Sequence, residues 1–191
     1  MEQEIFTLFT KDITLQLSIN QISKKLDKSY PYINKKVNEL IEQEIFNKTK
    51  IGRSHLCSVN LRNDKARVLL MLNEIEKKER YLKKTNLLDK EKIFEITGAF
   101  NIFTILQSGQ RLIFVLNYLN DKEAIKNKFP YIKKLDPEFF EMPDFKQEIL
   151  SDKSIIKDHV ILYSFEKYFE ILQEIQKELL VNFSPIYAVQ K

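Results

Sequence analysis

The side chains with a reactive repertoire are few and scattered. Asp121 and Glu123 alternate as a carboxylate pair does when both acids lie on one side of an extended segment and hold metal ions over a triphosphate. Lys122 stands between them, however, and the pair follows the strand-like run 112–116 instead of leading into it, which suits the charged start of a helix better. His159, beside Asp158 at the head of another strand-like run, reads as a structural or surface histidine rather than a general base, and Cys57, alternating with Ser58, as a small buried residue. A single cysteine and the two distant histidines, His55 and His159, cannot assemble a zinc site. No glycine-rich phosphate loop, HExxH or GxSxG segment occurs, and only 3 glycines are present. No catalytic residue, metal ligand or cofactor site is assigned on these grounds, and an enzyme is not expected.

A second set of residues suits recognition. Ser29, Tyr30, Tyr32, Asn34, Lys35 and Asn38 fall in one short segment, and Lys50, Arg53 and Ser54 in the next. Asn can make a two-point contact to adenine, Lys can reach guanine or phosphate, and Tyr can donate to a phosphate oxygen. The elements that carry them follow from spacing. A short helix over 3–9 places Ile5, Leu8 and Phe9 on one face. Ser18 and Gln21 have the spacing of a capping box, and Ile19, Ile22 and Leu26 continue it as a helix over 19–26. Asp27-Lys28-Ser29 is a tight turn, after which Ser29 can cap a second helix whose buried stripe is Ile33, Val37, Leu40 and Ile41. Once that stripe points inward, the polar residues above point out. Strand character over 45–49 and 56–61, with a turn at 50–54, then gives a hairpin with a basic tip.

Helix, turn, helix and basic hairpin is the order of a winged helix-turn-helix, with the recognition helix at about 29–43 in the major groove and the wing at about 50–55 against a neighbouring groove or backbone. The run Val37-Asn38-Glu39-Leu40-Ile41-Glu42-Gln43-Glu44-Ile45-Phe46, followed by Lys50-Ile51-Gly52-Arg53-Ser54, resembles the winged-helix regulators of archaea and bacteria over about the first 75 residues. The resemblance implies a DNA-binding protein, a transcriptional regulator acting on double-stranded DNA. Winged helices also serve as protein-docking modules, which leaves an interaction protein as the alternative.

In the second half, Ile96-Thr97-Gly98-Ala99, Leu135-Asp136-Pro137-Glu138-Phe139-Phe140 and the run from Ile155 to Tyr163 resemble small nucleotidyltransferase domains fused behind a winged helix. Active members of that family carry a Gly-Ser pair before an Asp-apolar-Asp strand. Here Ala99 replaces the serine, and Gln110-Arg111 enters the matching strand without a carboxylate. The resemblance therefore implies a nucleotidyltransferase-like pseudoenzyme fold without its metal site, an active transferase being the least favoured alternative.

The expected fold class is mixed α/β (α+β): a winged helix-turn-helix at 1–62, a linking helix at 63–86, and a small α/β nucleotidyltransferase-like domain at 87–191. The linking helix, expected over 64–85, has an apolar first half of Val68, Leu69, Leu70, Met71, Leu72 and Ile75 and a charged second half, so that it starts in a core and ends in solvent. Beyond it, strands are expected at 112–116, 131–135 and 159–163 and helices at 121–128, over Phe139-Phe140, at 144–150 and at 166–181. The aromatics among these elements, Phe139, Phe140, Phe145, Phe165, Tyr168 and Phe169, read mostly as core.

Composition agrees with a packed chain: 191 residues, 43% hydrophobic and 30% charged. The net charge of +4 is unevenly spread, with 18 bases against 12 acids in residues 1–90 and 13 against 15 thereafter, which places an anionic partner at the N-terminal part. A single recognition helix reads about half a site, so a homodimer is expected, through the linking helix or the final helix, with the C-terminal domain available to a protein partner. The acidic start Met1-Glu2-Gln3-Glu4 and the lack of a long apolar run give the expectation of a cytoplasmic protein without a membrane partner.

Overall fold

The computed structural model describes residues 2–51, 54–85 and 88–183, and for residues 2 and 3 the backbone alone. Its elements, in chain order, are helices α1 (Glu2–Thr10), α2 (Ile19–Leu26) and α3 (Tyr30–Glu42), strands β1 (Phe46–Ile51) and β2 (Ser54–Val59), and helices α4 (Asp64–Leu82) and α5 (Lys90–Ala99). Strands β3 (Ile102–Ser108) and β4 (Arg111–Leu116), helices α6 (Asp121–Lys128) and α7 (Pro130–Lys133), strand β5 (Glu138–Glu141) and helices α8 (Met142–Ser151) and α9 (Ser154–Lys157) follow. Strand β6 (His159–Tyr163) and helices α10 (Phe165–Glu174) and α11 (Gln176–Phe183) complete a mixed α/β fold. The chain divides into two compact units, residues 1–70 with 173–191, and residues 71–172.

The first unit is organised by local signals. Ser18 Oγ accepts from Gln21 N–H at 3.2 Å, and the Gln21 side chain returns to Ser18 N–H at 2.8 Å, closing the capping box that starts α2. Replacing Ser18 with alanine is expected to cost about 1 kcal/mol in urea unfolding. Asp27 ends α2 in the left-handed conformation (φ 51°), and the buried Ser23 hydroxyl donates to Lys28 O at 2.6 Å, fixing the turn into α3. Beneath it, Ile22, Ile33, Val37 and Leu40 are buried with Ile5 and Phe9 of α1 and with Phe46, whose ring lies 4.7 Å from that of Phe9. Ile41, placed in the buried stripe by periodicity, is only half-buried.

The hairpin β1–β2 is antiparallel with Phe46 opposite Val59 and Ile51 opposite Ser54. On its far side Leu17 and Cys57 exchange backbone hydrogen bonds of 3.0 and 2.8 Å, a third-strand bridge whose sequence trace is the alternation Ile13, Leu15, Leu17. Helix α11 closes this unit. The Gln176 amide accepts from Leu61 N–H at 3.3 Å and donates to Val59 O at 2.7 Å, while Gln16 donates to Leu180 O at 3.1 Å. Sequence reading drew 87–191 as one C-terminal domain; these bonds, with Leu179 buried, instead place residues 173–183 with the N-terminal unit.

The second unit is built on a four-stranded sheet of order β5-β4-β3-β6, parallel between β4 and β5 and antiparallel elsewhere. Ser108 pairs with Arg111, so Gly109-Gln110 is a two-residue turn, and Gly109 supplies the positive φ of 56° that such turns need. Leu112, Phe114 and Leu116 of β4 pack with Ile93 and Ile96 of α5, Ile125 of α6 and Ile132 of α7. Ile113 and Val115 alternate to the opposite face and are also fully buried, which is why β4 reads as a continuous apolar run.

Several sequence expectations are corrected here. The strand expected at 131–135 is the helical turn α7: Pro130 presets the first-turn φ, and Ile132 and Leu135 meet through i to i+3 bonding instead of alternation. The helix expected over Phe139-Phe140 is strand β5, because pairing with the edge of β4 and the strand preference of two phenylalanines override the proline start signal. Strand β3 lies in a stretch to which sequence reading assigned no element, and the final helix is divided at Ile175 into α10 and α11. In α4 the apolar half is not core throughout: Ala66 and Leu70 are buried, whereas Val68, Leu72 and Ile75 are exposed and the acidic Glu74 is buried.

Candidate nucleic-acid interface

Helix α3 presents the residues singled out for recognition. Tyr30 and Lys35 are exposed, and Tyr32, Asn34 and Asn38 are half-buried. Ser29 occupies the N-cap position and is exposed, its side chain closing no cap bond, and the first turn contains no acid. Asn38 Nδ2 donates to Asn34 Oδ1 at 3.3 Å, so the two amides form a ready-made pair on the helix surface. Lys36, one position on, is instead bound to Glu39 at 2.6 Å, which leaves Lys35 as the α3 cation turned outward.

The hairpin adds a second group of bases, differently arranged from the sequence expectation. Lys50 and Ser54 are both exposed, but their registers set them on opposite faces: Lys50 lies opposite His55, and Ser54 opposite Ile51. Lys48, opposite Cys57, shares the face of Lys50 and His55, giving that side three exposed nitrogen-bearing residues. Arg53 lies outside the described residues. Lys48 and His55 were missed by sequence reasoning, although strand alternation from Lys50 would have found them. Lys24, Lys25 and Lys28, all exposed at the end of α2 and in the turn before α3, were missed as well. Cys57, opposite Lys48 in the ladder, is fully buried and its thiol is pushed up to about 11 by burial, so it is an inert packing residue.

The other face of the hairpin, with Asn47, Thr49 and Ser58, meets α11 across a groove of about 560 Å³ in which Arg62 and Lys177 are balanced by Glu174 and Glu178. Lys48 also reaches its rim, so its lining has three bases against two acids.

Residues considered for chemistry in the second unit are dispersed. Asp121 and Glu123 lie in the first turn of α6, half-buried and exposed respectively, and on no strand. Ala99 ends α5 and is exposed. Arg111, at the head of β4, holds Glu138 of β5 through two bonds of 2.7 and 2.6 Å, Glu148 of α8 at 2.6 Å and Asp152 at 2.9 Å. The position at which a catalytic carboxylate would be sought thus carries a guanidinium that ties three others together. Of the aromatics, Phe145, Tyr168 and Phe169 are core, and Phe139, Phe140 and Phe165 are half-buried. His159 is buried as well, which settles its placement inside the unit rather than on its surface. Among the described residues no group of three or more His, Cys, Asp or Glu side chains is spaced to hold a metal ion, and no helix is long and apolar enough to cross a membrane.

Comparison of the chain with protein-family models, with curated proteins and with solved structures finds no match.

Proposed function

We propose that this chain is a sequence-specific double-stranded DNA-binding protein, a transcriptional regulator whose first unit works as a winged helix-turn-helix. One observation carries the reading: the outward face of α3, with Tyr30, Asn34, Lys35 and Asn38 and no acid in its first turn, is followed by a hairpin bearing Lys48, Lys50 and His55 on one side. That combination offers amides to base edges and cations to phosphates, the two kinds of contact sequence recognition needs. In this reading the protein acts as a homodimer in the cytoplasm, needs no cofactor and performs no catalysis. Its second unit is a nucleotidyltransferase-like domain that binds a partner.

The test is selection of bound duplexes from a random pool at two salt concentrations. Enrichment of a palindrome is the expected result, and weak, salt-labile binding without enrichment would remove the reading. Replacing Asn38 with alanine is expected to relax preference at one base position by about 1–3 kcal/mol while leaving the salt dependence unchanged.

A second reading, an interaction protein, is favoured by the exposed apolar residues Leu72 and Ile75, at i and i+3 of α4 within the second unit, a spacing suited to a partner helix. Co-purification with a stoichiometric protein and without nucleic acid would support it over the first.

A further inference from the structure

Inside the second unit, Glu74 of α4 meets His159 at the head of β6, with exposures of 3% and 5%. The imidazole is oriented by its Nδ1, which lies 2.7 Å from Ile156 O. A carbonyl oxygen only accepts, so Nδ1 carries a hydrogen, and in a neutral ring Nε2 is a bare acceptor. That acceptor faces Glu74 Oε2 at 3.5 Å, and neither atom has a hydrogen-bond partner among the described residues. The other carboxyl oxygen is occupied, since Lys77 Nζ donates to Oε1 at 2.5 Å. A neutral imidazole beside an ionised carboxylate would therefore press two lone pairs together out of reach of solvent, an arrangement that buried polar groups avoid. A water donating to both atoms through ordinary bonds would hold them roughly 4.4 Å apart, wider than they are.

We propose that Glu74 and His159 hold one shared proton between Oε2 and Nε2, forming a proton-dependent clasp that fastens α4 to β6. The inference goes beyond the DNA-binding reading and stands or falls separately from it. The proton comes from solvent, sits on the carboxyl and is donated to Nε2, with no other bond made or broken. Burial raises the Glu74 carboxyl above its ordinary range, while burial first and the charge of Lys77 second bring His159 down to about 3, so the carboxyl is the holder. The remaining neighbours are neutral or already engaged. Tyr168 of α10 lies 4.9 Å from the imidazole and donates its hydroxyl to Ile155 O at 3.1 Å, and burial holds that phenol protonated. Ser108 of β3 is directly opposite His159 in the ladder, with its buried hydroxyl unpartnered among the described residues. The neutral Asn73 side chain also hydrogen-bonds the Glu74 carboxyl, and among the described residues Lys77 is the charged group whose field acts on both members of the pair.

The proton gives the clasp a sign with pH. In the unfolded chain a glutamate titrates near 4.3 and a histidine near 6.5. Above about pH 6.5 the unfolded pair holds no proton while the folded pair holds one, so stability falls as pH rises, up to tenfold in the folding constant per pH unit. It ceases to fall once the folded pair itself releases the proton.

The experiment is urea unfolding of the full chain from about pH 6 to about pH 9, wild type beside Glu74→Gln, whose amide keeps the shape of the carboxyl and donates to Nε2 without a titrating proton. The ratio of the two folding constants is expected to fall by up to tenfold per pH unit above about pH 6.5. Two spectra of wild type alone keep the question open to refutation even if the variant fails to fold. Near neutral pH the infrared spectrum should contain a buried protonated carboxyl, and nitrogen-15 spectra of labelled histidine should show one ring with Nδ1 protonated and Nε2 accepting a strong hydrogen bond. A pH-independent ratio, a missing acid band, or an Nε2 without a hydrogen bond would each overturn the clasp.

Discussion

A protein carrying Lys35→Ala together with Lys50→Ala is expected to bind its selected duplex roughly 60-fold more weakly at about 0.1 M salt, because each phosphate contact contributes close to 0.9 in the slope of log K against log salt. Both side chains are exposed, one on α3 and the other on the hairpin. If two protomers bind together, four contacts are lost and the effect squares to roughly 4,000-fold. Titration of wild type and variant across a salt series reads both quantities at once. A slope reduced by about 2 per protomer, with the preferred sequence unchanged, assigns these lysines to the backbone of the duplex. An unchanged slope would place the DNA, if it binds at all, on another surface.

The second large effect concerns stability. Arg111 joins the head of β4 to β5 and to the C-terminal end of α8 through Glu138, Glu148 and Asp152. The Asp152 carboxyl is held below the usual carboxylate range chiefly by its hydrogen bonds from Ser154, with Arg111 contributing after them. Replacing Arg111 with methionine keeps the bulk but leaves three acids facing one another. A buried pair broken in this way costs about 3–5 kcal/mol, and the 28% exposure of the guanidinium lowers the expectation to about 2–3 kcal/mol. Urea unfolding measures it. Arg111→Lys should recover less than half, since an ammonium cannot reproduce the two parallel bonds to Glu138. Full recovery by lysine would mean that charge alone matters at this junction.

The features that sequence reading found share a short range. The Ser18–Gln21 capping box spans three positions, the stripe of α3 repeats within one helix, and the hairpin joins adjacent strands, although these run to Ile51 and from Ser54, into the turn expected at 50–54; each is written in neighbouring residues. What it missed depends on distant partners. Nothing beside Arg111 announces acids 27, 37 and 41 positions later, and nothing around Glu74 distinguishes it from the exposed Glu76 two residues further on. Glu74 falls on the buried side of a helix whose apolar residues Leu72 and Ile75 face out, an inversion of the usual pattern that only the packed structure resolves. The outward face of α3 was legible because it consists of what remains after the core stripe of that helix is subtracted. The bases on the hairpin were legible only in part, since Lys50 and Ser54 are close in sequence yet fall on opposite faces.

The two side-chain amides that bind α11 to the first unit, Gln176 to Leu61 and Val59 and Gln16 to Leu180, join the first stretch of the chain to its last. A growing polypeptide emerges N-terminus first, so α1–α3 and the hairpin are out of the ribosome well before the helix that covers them has been made. Until then the Leu61 N–H and Val59 carbonyl lack these partners, and the residues that pack on Leu179 lack that cover. The intervening second unit, a compact unit over residues 71–172, can condense in the meantime. Synthesis thus completes the inserted unit before the first unit receives its last helix, and an early stop anywhere before α11 would release α3 and the hairpin without the amide bonds that α11 supplies.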